Sequence, residues 1–148
     1  MKKLVTSAVL SLMLLPLMAQ QQEGMPSSPE EMEKKLVEYI EKEVEKYSST
    51  LGLEYWQEFY ADSTLNHNLH AMQDELNELK KAGVQNTDMY IAVHDKWDGR
   101  TYDAFMGFLT PEQREKYLKG GALRAKQARD KRAGIDIKKE KPSKKKKK

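Results

Sequence analysis

The side chains best suited to bind a metal lie near the middle of the chain. His67 and His70 are three positions apart and Asp74 follows four positions later, a spacing that places all three close to one face of a helix. Neutral imidazoles and a carboxylate at this spacing are ligands for Zn²⁺ or Cu²⁺. A polar helix face that contains two histidines explains the same pattern without a metal. We therefore expect no metal site and keep these three residues as candidate ligands.

Acidic side chains are abundant, but their arrangement does not indicate catalysis. No carboxylate is accompanied by a nucleophile, a base and oxyanion donors in a recognisable order. Asp95, Asp98 and Asp103 lack the glycine-centred spacing of a calcium loop, and the Gly120-Gly121 pair lacks the pattern of a phosphate-binding loop. The sequence therefore predicts a protein that is not an enzyme and that carries no cofactor.

The N-terminus has the pattern of a secretory signal peptide. Lys2 and Lys3 precede an apolar run over residues 4–18, and Ala19 is followed by a polar stretch; this order predicts cleavage after Ala19. The chain contains no cysteine, which excludes disulfides, thiolate metal sites and a lipid-modified N-terminal cysteine. We expect a soluble protein that is exported to the periplasm of a Gram-negative bacterium.

The net charge of +3 hides two regions of opposite charge. Residues 20–123 contain 20 acidic and 11 basic side chains, whereas residues 124–148 contain 13 basic and 3 acidic ones. Residues 138–148 have too few apolar side chains to fold, so we predict a disordered lysine-rich tail there. In an exported protein the anions available to such a tail are lipid head groups and phosphates of the envelope surface or the acidic body of this protein. A tail that only keeps the protein soluble explains the same composition, and we expect no binding of nucleic acid.

Changes in composition divide the chain into five segments. We predict a signal peptide at 1–19, a disordered linker at 20–28, a helical domain at 29–119, a basic, frayed helical extension at 120–137 and the tail at 138–148. All twelve aromatic residues lie in the helical domain, which indicates where a core can form.

Apolar residues recur in the helical domain at spacings of three and four, the period of amphipathic helices. Ser28 and Pro29 are residue types that begin a helix. A second helix is predicted from Leu53 to Ala82, next to Gly83, a residue that commonly ends helices. The predicted apolar stripes are Met32, Leu36, Ile40, Val44, Tyr47 and Leu51 in the first helix; Trp56, Phe59 or Tyr60, Leu65, Leu69, Met72, Leu76 and Leu79 in the second; and Tyr90, Val93, Trp97, Phe105 and Phe108 in the third.

Asn86 or Thr87 caps the third predicted helix, and Thr110 begins a fourth helix that continues through Leu118. No segment longer than three residues alternates with the period of a strand. Short connections between amphipathic helices favour antiparallel neighbours. We predict an all-α fold of four amphipathic helices in antiparallel hairpins. A homodimer is also expected, because a chain of this kind buries little apolar surface by itself.

Four large rings stand within six positions at Tyr55, Trp56, Phe59 and Tyr60. They cannot all face one narrow stripe of a helix. We predict that Trp56 and Phe59 belong to the core and that the remaining rings lie on an exposed or dimer surface. Tyr39, Tyr47 and Met72 can extend that surface. The candidate contact residues for a bound protein are Tyr55, Tyr60, Met72 and Phe108.

A short pattern occurs twice where a helix should begin. Residues 108–113 read FLTPEQ and residues 51–57 read LGLEYWQ. In the second copy Thr110 caps free backbone N–H groups, Pro111 suits the first helical position, and Gln113 can complete a capping box. We expect Thr110→Ala to cost about 1 kcal/mol and Gln113→Ala to cost less. The motif positions are Leu53, Glu54 and Gln57 in the first copy and Leu109, Thr110 and Gln113 in the second.

The segment FLTPEQREKYL resembles the LTxxQ motif of the Spy/CpxP family of periplasmic helical proteins. LGLEYWQ is similar to the first copy of that motif, with Glu54 where the family usually has threonine. The resemblance implies a thin, antiparallel helical bundle that forms a cradle-like dimer. It also implies one of three functions: an ATP-independent chaperone, an inhibitory partner of an envelope-stress sensor kinase, or a zinc-responsive relative of these.

Two functions therefore follow from the sequence and its resemblance. In the first, the protein is a stress-response chaperone of the envelope that binds exposed apolar segments of unfolded proteins. In the second, it is an adaptor or regulator that binds an envelope sensor or another envelope protein, with a metal-responsive role as a variant.

Overall fold

A computed structural model describes residues 28–135 of the chain. By its contacts the chain divides into two compact units, Met1–Lys35 and Leu36–Lys148. In the described part of the first unit, residues 28–35, the Ser28 hydroxyl accepts a hydrogen bond from the backbone N–H of Glu31 at 3.2 Å. The predicted signal peptide, nearly all of the predicted linker and the predicted lysine-rich tail lie outside the described residues.

The described chain is helical and contains no strand. The helices are α1 (Pro29–Leu51), α2 (Tyr55–Lys81), α3 (Thr87–Phe108), α4 (Pro111–Tyr117) and α5 (Leu123–Arg132), with a π-helical segment (Leu118–Ala122) between the last two. The third helix is capped by Asn86, whose side chain accepts from the N–H of Asp88 at 2.9 Å. Of the helices in residues 28–135, none combines the length and the apolar character needed to cross a membrane.

Contacts between α2 and α3 run in opposite directions along the two helices. Asn68 donates to the Thr101 hydroxyl at 2.9 Å. Further along α2, Glu75 pairs with Lys96, which precedes Thr101 in α3. These pairs show that α2 and α3 are antiparallel neighbours joined by a short connection. The predicted all-α helical bundle is confirmed.

The core of the second unit lies where α1, α2, α3 and α4 meet. The α1 residues of this core are those of the predicted stripe, Leu36, Ile40, Val44, Tyr47 and Leu51. The ring of Phe105 is fully buried and contacts Tyr47 at 4.9 Å and Tyr117 at 5.3 Å between centroids. Aromatic pairs at these distances add stabilisation beyond the area that they bury. The core therefore anchors the corner at which α1 turns into α2.

The chain beyond α4 folds back against α3. Gly121 has φ +117° inside the π-helical segment, a conformation that L side chains rarely adopt, and α5 follows this bend. Arg132 forms two hydrogen bonds to the Asp95 carboxylate, at 2.6 and 2.7 Å, and the Arg129 guanidinium lies 5.7 Å from the Tyr102 ring centre. The segment predicted to be a frayed extension thus contains a helix with defined contacts to α3.

Candidate functional site

The two glutamines of the repeated motif meet in the interior. Gln57 and Gln113 are only 1% and 8% exposed. The Gln57 amide donates to Gln113 Oε1 at 2.7 Å, and the Gln113 amide donates to Gln57 Oε1 at 2.9 Å. We call this pair the glutamine bridge. It joins the start of α2 to the start of α4 across 56 positions of sequence.

Each glutamine also serves its own helix start. Gln57 Oε1 accepts from the N–H of Glu54, and Gln113 Oε1 accepts from the N–H of Thr110, both at 3.0 Å. These bonds satisfy backbone donors at the helix start that have no partner within the helix.

The second amide hydrogen of each glutamine crosses to the opposite loop. Gln57 donates to the carbonyl of Phe108 at 3.1 Å, and Gln113 donates to the carbonyl of Gly52 at 3.0 Å. Phe108 lies five positions before Gln113, and Gly52 lies five positions before Gln57, so the two copies of the motif form equivalent bonds to each other. The glutamine bridge is therefore locally symmetric and satisfies all four amide hydrogens.

This geometry reverses the expected order of the stability costs of Thr110→Ala and Gln113→Ala. Thr110 is exposed, and its hydroxyl accepts one hydrogen bond, from the N–H of Gln113 at 3.3 Å. Gln113 is buried and makes four. The prediction that Gln113→Ala costs less than Thr110→Ala is therefore not supported, because the sequence shows only the capping half of the role of Gln113.

In the first motif the position of Thr110 is occupied by Glu54. Its carboxylate accepts from the indole N–H of Trp56 at 2.7 Å. The backbone carbonyl of Glu54 accepts from the N–H of Gln57 at 2.8 Å. The acidic residue thus fixes the ring of Trp56 on the outer side of α2.

The four rings at the start of α2 form an exposed surface, which we call the aromatic face. Tyr55 is 88% exposed, Phe59 66%, Tyr60 54% and Trp56 47%. The Tyr60 ring lies 5.9 Å from the Trp56 ring and 6.2 Å from the Phe59 ring, each in an edge-to-face arrangement. Contiguous exposed apolar surface of this kind marks an interaction site.

The aromatic face lies on the side of α2 turned away from the core. A helix turns about 100° per residue, so Gln57 and Ala61, both buried, point away from Tyr55 and Phe59, and Tyr60 lies at the border of the two sides. The prediction that Trp56 and Phe59 belong to the core is wrong. The helix instead buries the small Ala61 and the amide of Gln57.

The other predicted contact residues divide between two places. The Phe108 ring, half-buried, lies 6.2 Å from the Tyr60 ring and 5.0 Å from that of Phe105, so it connects the aromatic face with the core. Met72 stands twelve positions after Tyr60, about 18 Å along the helix. The structure therefore brings Tyr55, Tyr60 and Phe108 together and leaves Met72 apart.

The candidate metal ligands do not converge. His67 lies beside the Trp97 ring at 6.1 Å, and His70 Nδ1 is 2.7 Å from the carbonyl of Asn66 in its own helix. Asp74 is exposed. Within residues 28–135, no group of three or more histidine, aspartate or glutamate side chains is arranged to hold an ion.

A cleft of about 480 Å³ lies between α1, α3 and the π-helical segment. Tyr47 and Tyr117 line it, and burial raises the pKa of both phenols, that of Tyr47 to about 12. Both phenols therefore stay neutral near pH 7.

The chain matches none of the protein-family models, curated proteins or solved structures with which it was compared.

Proposed function

We propose that this protein is an exported, Spy/CpxP-like binding protein of the periplasm that shields apolar segments of unfolded proteins. The observation that carries the proposal is the aromatic face: four rings within six positions, all substantially exposed and turned away from the core. The repeated motif, which resembles the LTxxQ motif, supports the assignment to this family.

The aromatic face offers contact that is broad but weak. Covering about 100 Å² on each of four rings removes about 400 Å² from water, which contributes about 10 kcal/mol at ~25 cal/mol per Å². Association costs about 4–15 kcal/mol in lost freedom. Binding is therefore reversible, which suits a protein that holds and releases clients without ATP.

The glutamine bridge holds the rings of the aromatic face in a defined arrangement. It fixes the first turn of α2, from which Tyr55 and Trp56 project, to Phe108 at the end of α3. Clients of different sequence then meet the same arrangement of rings. The charged side chains around the surface keep the complex in solution.

The proposal is tested by aggregation of a chemically denatured client in the presence of equimolar protein. We expect the wild-type protein to suppress light scattering, and the Tyr55→Ser/Phe59→Ser variant to lose most of this effect. The matched control is Tyr39→Ser, because Tyr39 is about half exposed on α1 and is not part of the aromatic face. Changes at exposed positions alter stability by about 0.5 kcal/mol or less, so all variants should remain folded.

Wild-type protein that leaves client aggregation unchanged would refute the chaperone function. A pull-down from periplasmic extract then tests the adaptor function. A single stoichiometric partner would support an adaptor or sensor-binding role, whereas a diverse set of clients supports the chaperone. Light scattering of the purified protein measures whether it is a monomer or a homodimer.

A further inference from the structure

A groove of about 580 Å³ lies between α1 and the start of α2, next to the aromatic face. Its apolar lining consists of Val44 from α1 and of Tyr55 and Phe59 from α2. Tyr55 and Phe59 are also part of the aromatic face, so a client that covers these rings also meets the groove.

Four carboxylates line the same groove. Glu41 and Glu45 belong to its α1 wall, and Glu58 and Asp62 belong to its α2 wall. No lysine or arginine lines it. We call this feature the acidic groove. Apolar side chains flanked by carboxylates of both helices place negative potential where an apolar side chain of a client would bind.

The carboxylates of the acidic groove differ from several on other surfaces of the described chain. Glu58 accepts from the Ser48 hydroxyl, and Asp62 accepts from the Asn66 amide at 3.2 Å; within residues 28–135 none of the four carboxylates forms an ion pair. Elsewhere, Glu78 pairs with Lys81 at 2.7 Å and Glu115 pairs with Lys119 at 2.6 Å. The charge of the groove is therefore left for a partner to balance.

We propose that the acidic groove selects client segments in which an aromatic or aliphatic side chain stands beside lysine or arginine. This inference rests on the proposed function and names the class of client. The apolar side chain contacts Val44, Tyr55 and Phe59, and the cation binds between the two carboxylate walls. Segments with acidic flanks are repelled, since like charges brought together across an interface oppose binding.

Charge argues against a second copy of the folded body as the occupant. Residues 28–135 carry 20 acidic and 16 basic side chains, so two copies of the folded body have like net charge and repel each other at this surface. Residues 138–148 of the chain have the right charge but, apart from Pro142, no apolar side chain. They match the carboxylates of the groove and not its apolar side chains.

The test is fluorescence anisotropy with the full-length mature protein and labelled peptides at low ionic strength. Three peptides share one Trp-Leu-Phe centre and differ only in flanks of lysine, serine or glutamate; a fourth is lysine-rich without apolar residues. We expect the lysine-flanked peptide to bind about tenfold more tightly than the glutamate-flanked one, and added salt to reduce this ratio because it screens the charges.

The variant Glu41→Gln/Glu45→Gln removes two of the four carboxylates and should lower the ratio, while binding of the serine-flanked peptide stays unchanged; a ratio equal to that of the wild-type protein would overturn the inference. Glu78→Gln/Glu115→Gln removes the same charge elsewhere and should leave the ratio intact. Glu41 and Glu45 are exposed, and Glu78 and Glu115 form ion pairs only on the surface. Circular dichroism verifies that both variants are folded.

The outcomes separate this inference from the proposed function. If the serine-flanked peptide binds and the lysine and glutamate flanks bind equally, the inference is overturned and the proposed function stands. If no peptide with the apolar centre binds, both fail. If the lysine-rich peptide without apolar residues binds as tightly as the lysine-flanked one, the groove recognises charge alone and the inference is overturned. The lysine-rich tail of the chain could then bind there as well.

Discussion

Replacing Gln113 by alanine tests the glutamine bridge most directly. The substitution removes two bonds to Gln57, one to the carbonyl of Gly52 and one from the N–H of Thr110. Each intramolecular hydrogen bond contributes about 1 kcal/mol net, so we expect a loss of about 4 kcal/mol in the free energy of unfolding. Thr110→Ala removes one exposed cap and should cost about 1 kcal/mol.

A double-mutant cycle separates the bridge from the two caps. Gln57→Ala should also cost about 4 kcal/mol, because Gln57 makes four equivalent bonds. The double variant removes six bonds in total, since two are shared, and should cost about 6 kcal/mol. The expected coupling energy between the two glutamines is therefore about 2 kcal/mol.

The measurement is urea unfolding of the purified protein followed by circular dichroism, with the slope of the transition compared among variants. Gln113→Met is the control for packing, because methionine keeps most of the volume and makes none of the four bonds. It should lose nearly as much stability as Gln113→Ala. Costs of Gln57→Ala and Gln113→Ala that add to within about 0.5 kcal/mol would show that the two amides do not interact.

Two further predictions concern the C-terminal part of the structure. Gly121→Ala should cost about 1–3 kcal/mol because its φ of +117° strains an L side chain. Gly120→Ala, at a helical position with equally open space, should stabilise the protein by about 0.5–1 kcal/mol. Urea unfolding of both variants measures these effects, and equal effects would contradict the bend at Gly121. The Arg132 guanidinium lowers the pKa of Asp95 below its ordinary 3.8, so the ion pair stabilises the docking of α5 above that pH and is lost as the pH falls through the lower folded-state pKa. Arg132→Gln should reduce amide-exchange protection in α5 at pH 7 by less than about 1 kcal/mol, and this effect should shrink as the pH falls below 3.8 and the Asp95 carboxylate is protonated. A difference that does not shrink as the pH falls would exclude the ion pair as its source.

Local features of this chain could be predicted because they depend on neighbouring residues. A capping box needs four consecutive positions, and the one predicted for Thr110 and Gln113 is present. The stripe from Leu36 to Leu51 repeats with the helical period and forms the α1 side of the core.

The identity of the side chains that α2 buries could not be predicted in the same way. Periodicity favours the largest apolar side chains, and so it assigned Trp56 and Phe59 to the core. The structure buries Ala61 and Gln57 instead, because the start of α2 is held by hydrogen bonds to another loop. No local pattern shows that Gln57 and Gln113 are in contact, since the partners are distant in sequence.

The glutamine bridge also determines the order in which the molecule can be completed. Ribosomal synthesis delivers Gln57 well before Gln113, which lies 56 positions later. Until that second glutamine is added, the carbonyl of Gly52 and one amide hydrogen of Gln57 lack the partners described above. The bonds that join the turn between α1 and α2 to the start of α4 therefore form only after residue 113 has been added. A chain that ends before α4 leaves these groups exposed to water, and the start of α4 supplies their missing partner.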